Sequence, residues 1–189
     1  MYKLHKIKSF VAIVLFISTS CYTQKLFYKN YNAFTIVDYR ISAKNNFNVN
    51  SADALPEGMT FNKDGTSLFV IGSLSNTVTE YTLDTAFDLT TASNTIASTF
   101  DASSSFADAT DIAFNNDGTK MYITGSFYER ICQYNLSSAY DITSASTTPD
   151  ETYSTSSEEK SPEGIAFNNN GTKLFIVGSD GNEINEYAL

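Results

Sequence analysis

Three acidic residues stand near the start of three similar segments of the sequence. Glu57 and Glu163 lie in identical Pro-Glu-Gly triplets, and Asp111 ends the corresponding Ala-Thr-Asp triplet, one position further on. Carboxylate oxygens are preferred ligands of Ca²⁺, so side chains of this kind could hold a divalent cation if the fold brings them together. The alternative is that each triplet is a turn with a solvated acid. The sequence therefore leaves both a calcium site and three solvated turns open as interpretations, and it predicts no other cofactor.

Other catalytic chemistry finds little support in the residue types. The single histidine is His5, close to the start of the chain, and there is no phosphate-binding loop, nucleophile elbow or CxxC pair. The chain holds 12 Lys and Arg against 21 Asp and Glu, a formal net charge of −9, and no basic cluster beyond its first residues. Nucleic-acid binding is excluded on this balance, since phosphate backbones need clustered cations.

A second set of candidate residues suggests a partner. Phe127, Tyr128 and Arg130 stand in a turn that differs most among the three similar segments. These residue types anchor protein partners or glycans, because they combine large contact area with polar groups. They are also ordinary residues of an aromatic-rich surface. The sequence leaves both interpretations open.

An internal repeat governs the positions of all these residues. Three segments, starting at Pro56, Ala109 and Pro162, align without a gap at a constant period of 53 residues. Large apolar residues and glycines recur in the same register. They include Phe61, Phe114 and Phe167, then Gly65, Gly118 and Gly171, then Tyr81, Tyr134 and Tyr187.

Each repeat is predicted to form four short strands. The first ends at Phe61, the second is the apolar run 68–71, the third spans 78–83, and an outer strand surrounds Phe100. Asp64-Gly65 supplies the left-handed position of a tight hairpin, and Asp88 is expected to cap a turn, as is Asp141. Outer strands are predicted around Phe47, Phe100 and Tyr153. Helices should be minor.

The pattern Phe-Asn-x-Asp-Gly-Thr-x-Leu-Phe-Val-x-Gly, followed by Val-x-Glu-Tyr-x-Leu, resembles the YVTN and NHL class of β-propeller repeats. The resemblance implies an all-β fold, a propeller-like array of three four-stranded antiparallel blades over residues 44–189. Residues 24–43 are predicted to be a degenerate partial repeat. The resemblance also places Glu57, Asp111 and Glu163 at the mouth of a central channel, where lactonase propellers use acids with a metal.

Three blades are fewer than a closed propeller needs, because closure is what hides the strand edges. Self-association that completes a ring, an open arc capped by residues 25–43, and a shortened form of a longer parent are the three explanations. We favour association or shortening over a closed three-blade ring.

The first 23 residues have the layout of a secretory signal peptide, with a basic start, an apolar run from Phe10 to Ile17 and a small polar end. An alternative is a lipoprotein whose Cys21 is lipidated, which is the one route by which the chain would be held at a membrane. The predicted location is outside the cell, in the periplasm or on the cell surface. If residues 1–23 are removed as a signal peptide, Cys132 is the one cysteine left, and we expect it to be a packing residue.

Taken together, the residues favour an exported binding or scaffold module with no visible catalytic constellation. Two alternatives stay open: a metal-dependent, lactonase-like hydrolase assembled from more than one chain, and a purely structural surface module.

Overall fold

The computed structural model describes residues 45–189 fully, together with the backbone of three earlier strands. The chain divides into two compact units, Met1–Lys44 and Asn45–Leu189. In the first unit, β1 (Val14–Ile17), β2 (Gln24–Asn30) and β3 (Ala33–Tyr39) form one antiparallel sheet in that order. The rest of the predicted signal peptide, Cys21 included, lies outside the described residues, so the export and lipidation hypotheses stay predictions.

The second unit consists of three antiparallel sheets, here named the first, second and third blades. Each is built by sequential hairpins, so that strands adjacent in sequence are adjacent in the sheet. The first blade is β4 (Pro56–Phe61), β5 (Ser67–Gly72), β6 (Thr77–Thr82) and β7 (Ser98–Asp101). The second is β8 (Ala109–Phe114), β9 (Lys120–Gly125), β10 (Arg130–Asn135) and β11 (Glu151–Ser154). The third is β12 (Pro162–Phe167), β13 (Lys173–Gly178) and β14 (Ile184–Ala188).

The hairpin between the first and second strands of each blade follows from its glycine. Gly65, Gly118 and Gly171 have φ angles of 71°, 72° and 69°, a left-handed conformation that costs glycine little. Asn62, at the start of the first of these turns, also stabilises it, because its Oδ1 accepts from the N–H groups of Thr66 and Ser67 at 2.9 and 3.0 Å. The predicted hairpins are therefore confirmed.

Apolar side chains from both faces of the second strands fill the spaces between blades. Between the first and second blades, Phe69 meets Phe114 with ring centroids 4.8 Å apart. Between the second and third, Tyr122 meets Phe167 at 5.0 Å. Every residue of β9 after Lys120 is buried, as expected for a strand covered on both faces.

The all-β fold and its antiparallel blades are confirmed, and within the described unit the three sheets do not close a ring. In residues 45–189 the helical content is two short 3-10 turns, Leu89–Thr91 and Ile142–Ser144. Asp88 and Asp141 cap them by accepting from the N–H groups of Thr90 and Thr143. No helix among the described residues is long and apolar enough to span a membrane.

One predicted strand is wrong. The residues around Phe47 form no strand, although Phe100 and Tyr153 do lie on outer strands, where they pair with Val78 and Ile131. The Phe47 ring packs edge-on against Tyr81 at 5.0 Å, on the first blade. Apolar contact with a sheet face, rather than strand pairing, decides the position of this segment. Within the described part of the chain, the third blade has three strands, whereas the first and second have four.

Candidate functional site

The innermost strands β4, β8 and β12 lie side by side, and each begins with an irregularity in pairing. The register shifts between Pro56 and Gly58 in the first blade, and at the equivalent positions of the other two. The residues bulged out in this way are Glu57, Thr110 and Glu163. A bulge bends the strand and re-aims its side chains, which makes this end of the innermost strands the natural place for a site.

Asp111 lies where the three blades come together. Its Oδ1 accepts from the N–H group of Ile112 at 2.8 Å, and its Oδ2 accepts from the N–H group of Ile165, on the third blade, at 3.0 Å. On its other side, a side chain at Gly58 of the first blade would collide with Asp111. The second blade thus has an aspartate at the repeat position where its neighbours have Gly58 and Gly164, and this carboxylate occupies the space that they leave.

Burial raises the pKa of Asp111 above its ordinary value of 3.8, and the N–H groups of Ile165 and Ile112 only partly offset the effect. The carboxyl group therefore holds its proton to a higher pH than a solvated aspartate does. A fixed, half-buried carboxyl group with a raised pKa is suited to accept and return a proton during a reaction.

The other two acids of the predicted metal site are in different surroundings. Glu57 is exposed and accepts from the Ser73 hydroxyl at 3.0 Å. Glu163 is exposed as well. Among residues 45–189, no group of three or more His, Cys, Asp or Glu side chains is placed to hold a metal ion. The described residues therefore do not by themselves make a calcium centre, and a calcium site stays a prediction.

Thr110 is a residue of this region that the sequence interpretation missed. Its hydroxyl donates to the carbonyl oxygen of Pro162 at 2.8 Å, which joins the bulges of the second and third blades. The signal was the departure of Ala-Thr-Asp from Pro-Glu-Gly. The middle repeat differs because its side chains bridge to the third blade.

A second set of acids, also missed, fastens the turn between the second and third strands of each blade. Asp53 accepts from the N–H and hydroxyl of Ser75 at 2.8 and 2.7 Å. Glu159 accepts from the N–H groups of Asp180 and Gly181 at 3.1 and 3.0 Å. In the second blade Asp108 accepts from the N–H of Phe127 at 2.7 Å. We call Asp53, Asp108 and Glu159 the turn latches.

A repeated glycine could have revealed the latches. A side chain at Gly72 would collide with Asp53, and one at Gly178 would collide with Glu159. Burial opposes ionisation of Asp53, but hydrogen bonds from Leu55, Ser75 and Leu74 together outweigh it and lower the pKa below 3.8. Asp53 is thereby held as an anion, and all three latches fasten loops at the end of the blades where the innermost strands begin.

The predicted partner residues lie on the turn fastened by Asp108. Phe127 is 68% exposed and Tyr128 50% exposed, with their rings in edge contact at 4.9 Å. Arg130 lies over the Tyr128 ring at 4.6 Å and donates from Nε to the carbonyl oxygen of Ser105 at 3.1 Å. Arg130 thus supports its own loop, while the two aromatic rings face outwards. Their role in capturing a partner stays a prediction.

Sequential four-stranded antiparallel sheets, packed face to face with their first strands innermost, define a β-propeller. The chain belongs to the lactonase family of seven-bladed β-propellers, whose family model matches residues 26–189. The narrower resemblance to YVTN and NHL repeats is not confirmed. No curated protein matches the sequence significantly.

Solved structures share the fold at low sequence identity. A putative 6-phosphogluconolactonase from Bacteroides uniformis is 18% identical with a TM-score of 0.53, and 93% of this chain covers 47% of that one. A periplasmic gluconolactonase from Pseudomonas aeruginosa is 15% identical with a TM-score of 0.52, at 92% and 48% coverage. A protein from Lactobacillus plantarum is 15% identical, at 93% and 48%, with a TM-score of 0.53. The chain spans about half the length of these structures.

Proposed function

We propose that the chain contributes to the active site of a propeller lactonase that opens the cyclic ester of a sugar acid. Two facts support this proposal: membership of the lactonase family over residues 26–189, and the half-buried Asp111 between the innermost strands. The substrate class is taken from the names of two structures with the same fold, one described as a putative 6-phosphogluconolactonase and the other as a periplasmic gluconolactonase. This is the first class to test.

The reaction requires one water molecule and one group that moves a proton. In our proposal the Asp111 carboxylate takes a proton from water while the water oxygen bonds to the carbonyl carbon of the lactone. The ring C–O bond then breaks, and Asp111 returns the proton to the departing ring oxygen. The product is the open hydroxy acid, and Asp111 ends as it began.

The surroundings of Asp111 favour it over the other acids for this role. Each carboxylate oxygen has two acceptor sites, and one on each oxygen is used by a backbone N–H group. The remaining sites can face water in a fixed orientation. Glu57 and Glu163 are exposed, so their carboxylates are not enclosed between strands as that of Asp111 is.

The lactonase hypothesis is better supported by family membership than the binding or scaffold interpretation is. A metal-dependent version needs a cation site, and the described residues do not assemble one. We therefore derive the proton transfer from Asp111 alone, with no step through a metal.

The test is hydrolysis of glucono-δ-lactone and its 6-phosphate by the full chain, followed as acid release and corrected for spontaneous opening. Asp111→Asn should lower kcat about 100-fold or more with little change in KM, as expected for loss of a general base. The matched control is Asp117→Asn, because Asp117 is a solvent-exposed acid in a hairpin turn. If Asp111→Asn keeps the activity of the parent chain, Asp111 is not the base.

The pH dependence of the hydrolytic activity is a second test of this role for Asp111. The proposed base works as a carboxylate, so activity should rise with pH through the pKa of Asp111, and the acid limb should lie above 3.8. Asp111→Asn should remove that limb from any residual activity. A limb that persists in Asp111→Asn would assign it to another group.

A further inference from the structure

The groove between the first and second blades holds a cavity at the hairpin end of their innermost strands. Its volume is about 360 Å³, within the range of about 300–1,000 Å³ that takes small molecules in proteins. Thr60 on β4 and Phe114 on β8 lie on its two walls, and Lys63, Asn116 and Tyr140 line it further. We call this space the hairpin cavity. Both walls belong to the described chain, so the cavity is formed between two neighbouring blades that are packed together.

The corresponding place between the second and third blades is packed. Ala113 stands one period after Thr60, is 8% exposed and belongs to an apolar cluster with Ile165. Thr60 is half-buried, although a blade lies beside it in the same way. The first groove thus has a hydroxyl group and open space where the second has a methyl group in a core. Because protein interiors are otherwise close-packed, a polar cavity at this position is suited to hold a ligand.

The polar groups of the hairpin cavity can both donate and accept hydrogen bonds. Asn116 donates from Nδ2 to the carbonyl oxygen of Asn169, on the third blade, at 2.8 Å. This bond fixes the orientation of the amide and leaves its Oδ1 to accept from a ligand. The hydroxyl groups of Thr60 and Tyr140 can each donate one hydrogen bond and accept others.

Tyr140 is held in place by the hairpin of its own blade. Its N–H group donates to the carbonyl oxygen of Gly118 at 2.8 Å, and its ring lies against Phe114 in edge contact at 5.1 Å. At the same position of the first repeat, Phe87 donates in the same way to Gly65. The hydroxyl group of Tyr140 is therefore an addition of the second repeat that packing of the ring does not require.

The charges around the hairpin cavity favour a neutral ligand. Burial raises the pKa of Tyr140 above its ordinary value of 10.0, the backbone of Lys63 partly offsets this, and the carboxylates of Asp64 and Asp117 raise it further. Two carboxylates thus lie near one ammonium group, that of Lys63, so that an anion gains little there. Among residues 45–189 no group of three or more acids is placed to hold a metal ion.

We propose that the hairpin cavity binds a neutral sugar ring. The sugar hydroxyls pair with Thr60, Asn116 and Tyr140, and the C–H face of the ring packs on Phe114. This is a second site, because Asp111 and Phe114 are three residues apart on β8, about 10 Å along the strand. The proposal does not depend on the lactonase hypothesis, and its test measures binding rather than hydrolysis.

The test is a titration of the ¹⁵N-labelled full chain with glucose, galactose and N-acetylglucosamine, followed by NMR. At least one of these sugars should bind with a Kd of about 1–10 mM and shift the amide signals of Thr60, Asn116 and Tyr140. Thr60→Ala and Tyr140→Phe introduce the residues found at the same positions of a neighbouring repeat, so both variants should fold. Each should weaken binding about 3- to 10-fold, as expected for loss of one hydrogen bond.

The matched control is Thr148→Ala, which removes a hydroxyl group from an exposed loop and should leave the Kd unchanged. Phe127→Ala, at the opposite end of the blades, should leave it unchanged as well. Circular dichroism and thermal melting check that every variant is folded. Gluconate is the anionic counterpart of glucose and should bind more weakly.

Four results would overturn the proposal. If none of the three sugars shifts a signal of the hairpin cavity, the cavity is not a sugar site. Shifts centred on Ile112 and Ile165 would place the sugar beside Asp111 instead. Unchanged affinity in both Thr60→Ala and Tyr140→Phe would exclude the assigned contacts. Tighter binding of gluconate than of glucose would show that the site takes anions.

Discussion

The second and third blades have similar apolar patterns in their first three strands and different environments. Met121-Tyr-Ile-Thr-Gly and Leu174-Phe-Ile-Val-Gly occupy the same repeat positions. In the second blade the whole run is buried, while in the third only Leu174 and Ile176 are. Whether a strand of this array is buried therefore depends on the blades packed against it more than on its own sequence.

The same comparison separates two kinds of acid. Asp111, in the second blade, fills a gap between three strands and has a raised pKa. Glu159, in the latch of the third blade, lies under a turn, and its pKa is lowered because N–H groups from Ser161, Gly181 and Asp180 together outweigh burial. One carboxylate is disfavoured as an anion by its position, and the other is held as an anion by its donors.

The largest expected effect comes from equivalent isoleucines. Ile131→Ala should lower the free energy of unfolding by about 2–5 kcal/mol, because it leaves a cavity in a packed core. Ile184→Ala should change it by about 0.5 kcal/mol or less, as for other exposed positions. Urea denaturation of both variants at the same protein concentration measures the two values.

Equal costs for the two isoleucine variants would contradict the comparison, since they would mean that Ile184 is as well covered within one chain as Ile131 is. A cost for Ile184→Ala close to zero would instead sharpen it, because the two isoleucines share a repeat position and differ in burial.

A smaller effect is expected at the bulge. Thr110→Val removes the hydrogen bond to Pro162 and should cost about 0.5–1.5 kcal/mol. Glu163→Ala, at the same repeat position of the third blade, should cost less than about 0.5 kcal/mol, because the Glu163 side chain is exposed. Thermal melts of the two variants give the difference, and a reversed order would show that the tie between the bulges is not stabilising.

The smallest effects are changes of stability with pH, and they should have opposite signs. Because the pKa of Glu159 is lowered from 4.5, its stabilisation is present above that value and is lost as the pH falls through the pKa of the folded state. The difference between the parent chain and Glu159→Gln should therefore shrink in acid.

Asp111 should behave in the reverse way. Because its pKa is raised from 3.8, its contribution is complete below that value and is lost as the pH rises through the folded-state pKa. The difference between the parent chain and Asp111→Asn should therefore shrink towards neutral pH. Denaturation at several pH values measures both, and slopes of the same sign would contradict the contrast between the two acids.

Much of the fold could be predicted from local patterns. Asp64-Gly65 predicts a hairpin turn, and Asp88 predicts a capped turn. The apolar run before Gly72 predicts a strand that is covered on both faces. Each of these depends on neighbours in sequence, and each is confirmed. The strand predicted around Phe47 failed, because pairing of an outer strand depends on which sheet edge lies beside it.

The site was predicted less well for the same reason. Glu57, Asp111 and Glu163 were grouped by their similar places in the repeat, but their side chains meet different groups. Asp111 accepts from Ile165, Glu57 accepts from Ser73, and no cluster forms among residues 45–189. The latches Asp53 and Glu159 were missed because their partners lie about twenty residues away along the chain.

By itself the sequence determined the period, the three inner strands of each repeat, the hairpin turns and the restriction of histidine to His5, because these follow from residue type and local spacing. Tertiary structure alone decided which equivalent residues are buried. It also decided that the pKa of Asp111 is raised and that the pKa of Glu159 is lowered. The physical reason is that burial, desolvation and hydrogen bonding at these positions come from the adjoining blade or turn. Similar repeats therefore differ in chemistry both through the few positions at which their sequences depart and through their places in the array.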